Sequence, residues 1–165
     1  MDTNQGAIER EKLVNAKNKI NTYVFWSLGA GLIPVPIVDL IALSGIQVKM
    51  ISELSKLYGL PFSKNIVKSL IGALLGSSLP VQVSLPLSSL LKTIPVIGQT
   101  TGAVTMPVMG GASTYAVGKV FLQHFASGGT FLDFNPEKVR DFYAEQFKEG
   151  QKVASDLNQN VSNEG

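Results

Sequence analysis

The stretch LIPVPIVDLIALSG, residues 32–45, decides how the chain is read, because it sets Asp39 inside an apolar run close behind Pro34 and Pro36. A proline in a helix interior removes a hydrogen bond and clashes with the preceding turn, a penalty of about 3 kcal/mol, so these prolines mark a tip or a helix start. The first turn after such a start has backbone N–H groups without partners, and they attract a carboxylate. Asp39 is therefore expected to cap the helix that follows. An ion or proton site at a helix break is the sharper alternative.

Outward from this stretch, charge is scarce and confined. Only 16% of residues are charged, against about a quarter in an ordinary globular protein. Uncharged runs cover 20–38, 40–48, 69–91 and 93–118, broken by Asp39 and Lys92. Apart from Lys119, the remaining charges gather in three blocks, 2–19, 49–68 and 133–164. Apolar residues within and beside these blocks recur at helical spacing. Leu13, Ala16, Ile20 and Val24 form one stripe, and Leu43, Ile46, Met50, Leu54 and Leu57 form another. Gly59 and Pro61 supply a stop signal. Asn135 followed by Pro136 reads as an N-cap and first helical residue, opening a helix with Val139, Phe142, Tyr143 and Phe147 on one side. The triplet IPV at 33–35 returns at 94–96, so Pro95 and Gly98 are read as a second tip.

The expected fold is all-α: two Pro-tipped apolar helical hairpins, membrane-inserted or re-entrant, with flanking amphipathic helices. A single domain covers 1–157, with hairpin one at about 7–58, hairpin two at about 63–127, a C-terminal helix at about 135–157 and a flexible tail at 158–165. A bilayer core of about 30 Å needs about 20 apolar residues, which 69–91 and 93–118 each supply. Small-xxx-small pairs such as Gly72/Gly76, Gly98/Gly102 and Ala112/Ala116 suit close helix approach in lipid, and equally tight packing in a soluble bundle. Hairpin one is shorter, with Tyr23, Phe25 and Trp26 at the level where amphipathic rings meet a membrane surface. The lysine-rich blocks would then share the cytoplasmic side, with both termini. The N-terminus lacks the apolar core of a signal peptide, which fits the same orientation.

Chemistry is hard to find in the sequence. There are no cysteines and one histidine, His124, so no thiol nucleophile and no zinc set is expected. A net charge of +2 without a dense Lys/Arg cluster gives nucleic acid no footprint. GGASTYAVGK at 110–119 lacks the glycine spacing and the hydroxyl after the lysine that a phosphate loop needs. No catalytic residue, cofactor or metal is expected.

The segments IPVPIVDLIALSGIQVKMISELSKLYG (33–59), KTIPVIGQTTG (92–102) and GASTYAVGKVFLQHFASGG (111–129) resemble the bacterial membrane-domain family that includes YcjF. The likeness covers roughly 20–145. Matching positions are Pro34, Pro36, Asp39, Gln47, Lys49, Met50, Tyr58 and Gly59, then Pro95, Gly98, Tyr115, Gly118 and Lys119. Members of that family often follow, or are encoded near, an Era-like GTPase. This sequence holds no GTPase domain, so the resemblance implies a GTPase acting in trans and gives the motif positions structural roles only. The reading is a non-enzymatic membrane adaptor or scaffold in the cytoplasmic membrane, contacting lipid, self-associating, and meeting a partner through Lys49, Glu53, Lys56, Phe142 and Tyr143. The alternatives are an oligomeric pore or transporter-like protein, and a soluble self-assembling helical protein in the cytoplasm.

Overall fold

The computed structural model describes residues 2–30, 36–77 and 106–163, with side chains throughout except at 2, 3, 30, 36–40, 106 and 161–163. These residues form five helices: α1 (Asp2–Ala30), α2 (Pro36–Leu57), α3 (Lys64–Ser77), α4 (Met106–Ala126) and α5 (Arg140–Asn163). The chain is all-α over its described residues.

Local signals set the boundaries. Pro36 opens α2, where its missing N–H is no loss, and Pro107 sits in the first turn of α4 for the same reason. The end of α2 is a Schellman motif. Gly59 adopts φ 68°, its N–H bonds the Lys56 carbonyl at 3.1 Å, and the Leu60 N–H bonds Ser55 at 2.8 Å. Gly128, at φ 83°, ends α4 in the same way, through bonds to Phe125 and His124. Asn135 Oδ1 accepts the N–H groups of Glu137 (3.0 Å) and Lys138 (3.1 Å). That cap holds a turn at 136–139, and regular helix follows from Arg140.

Helix α4 is the axis of the packing, with α5, α1 and α2 laid against it and α3 resting on α2. Small residues make this possible. A Cβ on Gly118 would stand 2.9 Å from Ile20 Cγ1 and 3.1 Å from Met50 Sδ, and one on Gly111 would stand 3.0 Å from Ala154 Cβ and 3.2 Å from Leu28 Cδ2. Gly150 is pressed harder still, with the Ala112 carbonyl oxygen and Tyr115 Cβ each 2.9 Å from where its own Cβ would be. These pairings run α1 and α5 antiparallel to α4, and α2 parallel to it. The interior is Ile20, Val24, Met50, Ile51, Leu54 and Val117, all buried. At one end an aromatic cluster closes the bundle, with Phe121 stacked on Phe134 at 4.5 Å between centroids and Phe131 edge-on to Phe125 at 5.2 Å.

Several expectations change here. Among the described residues no helix is long and apolar enough to cross a membrane. The predicted 69–91 arm is described only to Ser77, where α3 ends, and the 93–118 arm only from Met106. The described part of the second arm is the centre of the bundle: Val108, Ala112, Ala116 and Val117 are buried by protein, because α1 and α5 take the faces assigned to lipid. Gly72 and Gly76 have nothing within 4 Å of a built Cβ, so that small-residue pair mediates no contact among the described residues. The tip positions Pro34, Pro95 and Gly98 lie outside the described residues. Asp39 is the fourth residue of α2, and its side chain lies outside the described residues too. The tail expected from 158 is helical to Asn163, carried on from Leu157, which packs against the core.

Gly150→Ala is expected to destabilise the chain. Its methyl meets backbone that cannot yield, and overpacking of about 1–3 kcal/mol exceeds the gain in helix propensity of about 1 kcal/mol. Gly72→Ala, facing open space, should stabilise by up to about 1 kcal/mol. Urea unfolding midpoints of the two variants should therefore move in opposite directions from the parent.

Candidate functional site

Where α1, α2, α4 and α5 converge, polar side chains meet inside the apolar bundle. Gln47 Nε2 donates to Ser113 Oγ at 3.2 Å and to Thr114 Oγ1 at 3.4 Å. The Ser27 and Thr114 hydroxyls lie 2.7 Å apart, and Ser27 Oγ donates to the Tyr23 carbonyl at 2.8 Å. Because Ser27 has a single proton and gives it to Tyr23, Thr114 must donate to Ser27, which orders the relay Gln47→Thr114→Ser27→Tyr23 C=O. Ser113 Oγ continues to Tyr143 Oη at 3.4 Å. Ser27, Gln47 and Thr114 are each at most 1% exposed, so only this helix register satisfies them.

A second polar site lies at the α1–α2 seam. Glu53 accepts from Lys19 Nζ and from Tyr23 Oη, each at 2.8 Å. The Lys19 hydrogen bond holds the Glu53 carboxyl below the usual carboxylate range, burial opposes it, and the Tyr23 bond adds to the lowering. Burial together with the Glu53 carboxylate pushes the Tyr23 phenol well above its ordinary value. On the opposite seam Tyr115 Oη donates to Glu149 at 2.9 Å, and burial with that carboxylate pushes the phenol up to about 12. Lys119 Nζ stands 5.4 Å from the Tyr115 ring centroid.

The residues assigned to a membrane surface separate. Tyr23 is buried, its ring turned toward α2 by the Glu53 bond, which corrects that assignment. Phe25 and Trp26 are 49% and 57% exposed, and Ile41 on α2 is 69% exposed. All three lie within about a turn and a half of the α1–α2 connection. The residues assigned to a partner surface separate likewise. Lys49 and Lys56 are exposed two turns apart on α2. Glu53 is held by Lys19, Phe142 is half-buried, and Tyr143 is buried against the core, a second correction.

A feature with no counterpart in the sequence reading is an open wedge of about 810 Å3 between α2 and α3. Ile41, Val48, Ile71 and Leu75 give it apolar walls, and Lys49, Lys64 and Lys68 stand among its lining residues. The signal was available in principle, since Ile41, Gly45, Val48 and Ser52 share one face of α2 at three- and four-residue steps.

His124 Nε2 lies 2.8 Å from the Thr130 carbonyl, and its ring is edge-on to Phe134 at 5.1 Å. Asp133 Oδ1 accepts the Thr130 hydroxyl and N–H, both at 2.6 Å, and those bonds hold its carboxyl below the usual range. The 110–119 segment is uninterrupted helix within α4, with Gly111 and Gly118 facing neighbouring helices. Among the described residues no group of three or more His, Cys, Asp or Glu is arranged to hold a metal ion.

Residues 8–152 match the family described as "Domain of unknown function (DUF697)", and the chain belongs to that family. It is also similar to Magnetosome membrane protein 22 of Magnetospirillum gryphiswaldense, 38% identical over 141 residues that cover 85% of this chain and 72% of that protein. No solved structure matches the chain.

The Glu53 site predicts a pH dependence. A carboxyl whose pKa is lower folded than unfolded stabilises fully above its unfolded value of about 4.3, and that contribution is lost as pH falls through the folded value. Glu53→Gln should be less stable than the parent at neutral pH, with the gap closing between about pH 5 and pH 3. Urea midpoints across that range measure it, and a pH-independent gap would contradict the assignment.

Proposed function

We propose that this member of the DUF697 family is a non-enzymatic, membrane-associated helical adaptor that rests one end of its bundle on a lipid surface. The observation that carries the reading is the exposure of Phe25, Trp26 and Ile41, each within about a turn and a half of the α1–α2 connection. Large apolar side chains left exposed toward one end of a bundle favour a contact with lipid or protein there. Tryptophan in particular suits a headgroup boundary, with an apolar ring and a polar N–H. The sequence agrees, since 31–35 reads GLIPV, and 78–105 carries a single charge, Lys92. The similarity to a magnetosome membrane protein supports the same reading.

The adaptor role follows from the family resemblance, whose members accompany GTPases. A GTPase on another chain is the partner class it implies, and self-association at the membrane brings several copies to it. The exposed lysines of α2 leave a basic row for an acidic partner.

Trp26 is the sole tryptophan, so its fluorescence tests lipid contact without labelling. Adding phosphatidylglycerol-containing vesicles to the full chain should shift Trp26 emission to the blue, and lipids brominated near the headgroup should quench it. Phe25→Ser with Ile41→Ser should weaken vesicle binding by about tenfold or more, as expected when two large apolar side chains no longer leave water. Emission unchanged by vesicles would sink the reading.

A further inference from the structure

The wedge between α2 and α3 is long enough to take about three turns of helix. Its α2 wall runs from Ile41 to Ser52 and its α3 wall from Lys64 to Leu75, each about three turns or about 16 Å long. Small residues line both walls. Gly45 and Gly72 have nothing within 4 Å of a built Cβ, and Ser44 and Ser52 add only hydroxymethyl groups. Between such walls a third helix axis can come as near as the 8–10 Å of ordinary helix packing. Val48 and Ile71 form an apolar floor, both already under a tenth exposed, while Ile41 and Phe62 stand partly bare at the mouth.

Charge selects the occupant. Among the described residues the wedge is lined by Lys49, Lys64 and Lys68 and by no acidic residue. Among the described residues Lys64 and Lys68 have no ion-pair partner, although they stand one turn apart on the same side of α3. Lys49 faces them from α2, and the Glu53 carboxylate near it is already engaged by Lys19. From this juxtaposition we infer that the α2–α3 wedge is a docking groove for an acidic amphipathic helix of a partner protein, its apolar stripe on Val48 and Ile71 and its flanking carboxylates on Lys49, Lys64 and Lys68. The long two-walled shape with small residues on both sides favours a helix, whose backbone must come close, over a lipid headgroup, which needs only the lysines.

The test uses the full chain and a stapled, fluorescein-labelled peptide of fourteen residues, with leucines at helical spacing and glutamates flanking them. Stapling is required because so short a helix is marginal in water. Controls are the scrambled peptide and its counterpart with lysine in place of glutamate. The acidic peptide should bind saturably, and more weakly at high salt, while neither control binds. Lys64→Glu with Lys68→Glu should weaken it by about tenfold or more and shift preference to the basic peptide. Gly45→Leu with Gly72→Leu should abolish binding without lowering the melting temperature, since both side chains enter open space. Equal binding of the scrambled peptide, or retention of the acidic peptide after charge reversal, overturns the proposal. So does a result in which phosphatidylglycerol vesicles, and not the peptide, depend on Lys64 and Lys68. Trp26 lies outside the wedge, so failure here and failure of the membrane reading are read separately.

Discussion

Helix α4 can exist at the centre of this molecule only because its neighbours come almost to backbone contact. Gly111 and Gly118 clear space for Leu28, Ala154, Ile20 and Met50, and Gly150 lets α5 close onto the Ala112 carbonyl. Each approach fixes one neighbour at one height, so three helices are set in register against one. A side chain at any of these places would hold the pair apart along its length, because packed interiors transmit rather than absorb such displacements. The aromatic cluster at one end and the α1–α2 connection at the other take their positions from this alignment.

Close approach sets these heights, and the buried polar relay sets the same offsets a second time. Gln47, Thr114 and Ser27 come from three helices and satisfy one another only at one offset. A slip would strand a buried amide and two hydroxyls, each at about 1–3 kcal/mol. The low charge content of α4 then has a simple origin. A helix touched on several sides by other helices has little surface left to carry charge, and its small residues and hydroxyls resemble those of a membrane helix because close packing asks for the same residues in both settings.

That coincidence explains what was legible in the sequence and what was not. The stripe of Ala16, Ile20 and Val24, the Gly59 stop and the Asn135 cap were readable because periodicity and capping are local and the folded helices obey them. The destination of the apolar faces was not readable, since hydropathy records that a face leaves water without recording what replaces the water. Hence α4 reads as half of an inserted arm and proves to be the core. Tyr23 reads as an amphipathic ring for a membrane surface and Tyr143 as part of a partner surface, although each lies on an apolar stripe, Tyr23 with Ile20 and Tyr143 with Val139. The stripe was the better guide, because a buried hydroxyl needs one partner, and Glu53 and Ser113 supply them. Phe25 and Trp26 lie off the stripe, and they are the pair left exposed. The α2–α3 wedge depends on how α3 crosses α2, which no local pattern encodes.

The account stands on α4 being held by α1 and α5 while the protein is at a membrane. The chain has no cysteine, so one engineered pair reports this without background. Gly111→Cys with Ala154→Cys sets two Cβ atoms about as far apart as a disulfide allows after a small relaxation, from the 3.0 Å of the close approach. Mild oxidation of membranes from cells expressing this variant, followed by a gel-mobility assay, is the direct measurement. The account predicts near-complete cross-linking in the intact membrane, equal to that after detergent extraction. A pair that stays reduced in the membrane and closes only after extraction would show that lipid, and not α5, covers α4 there.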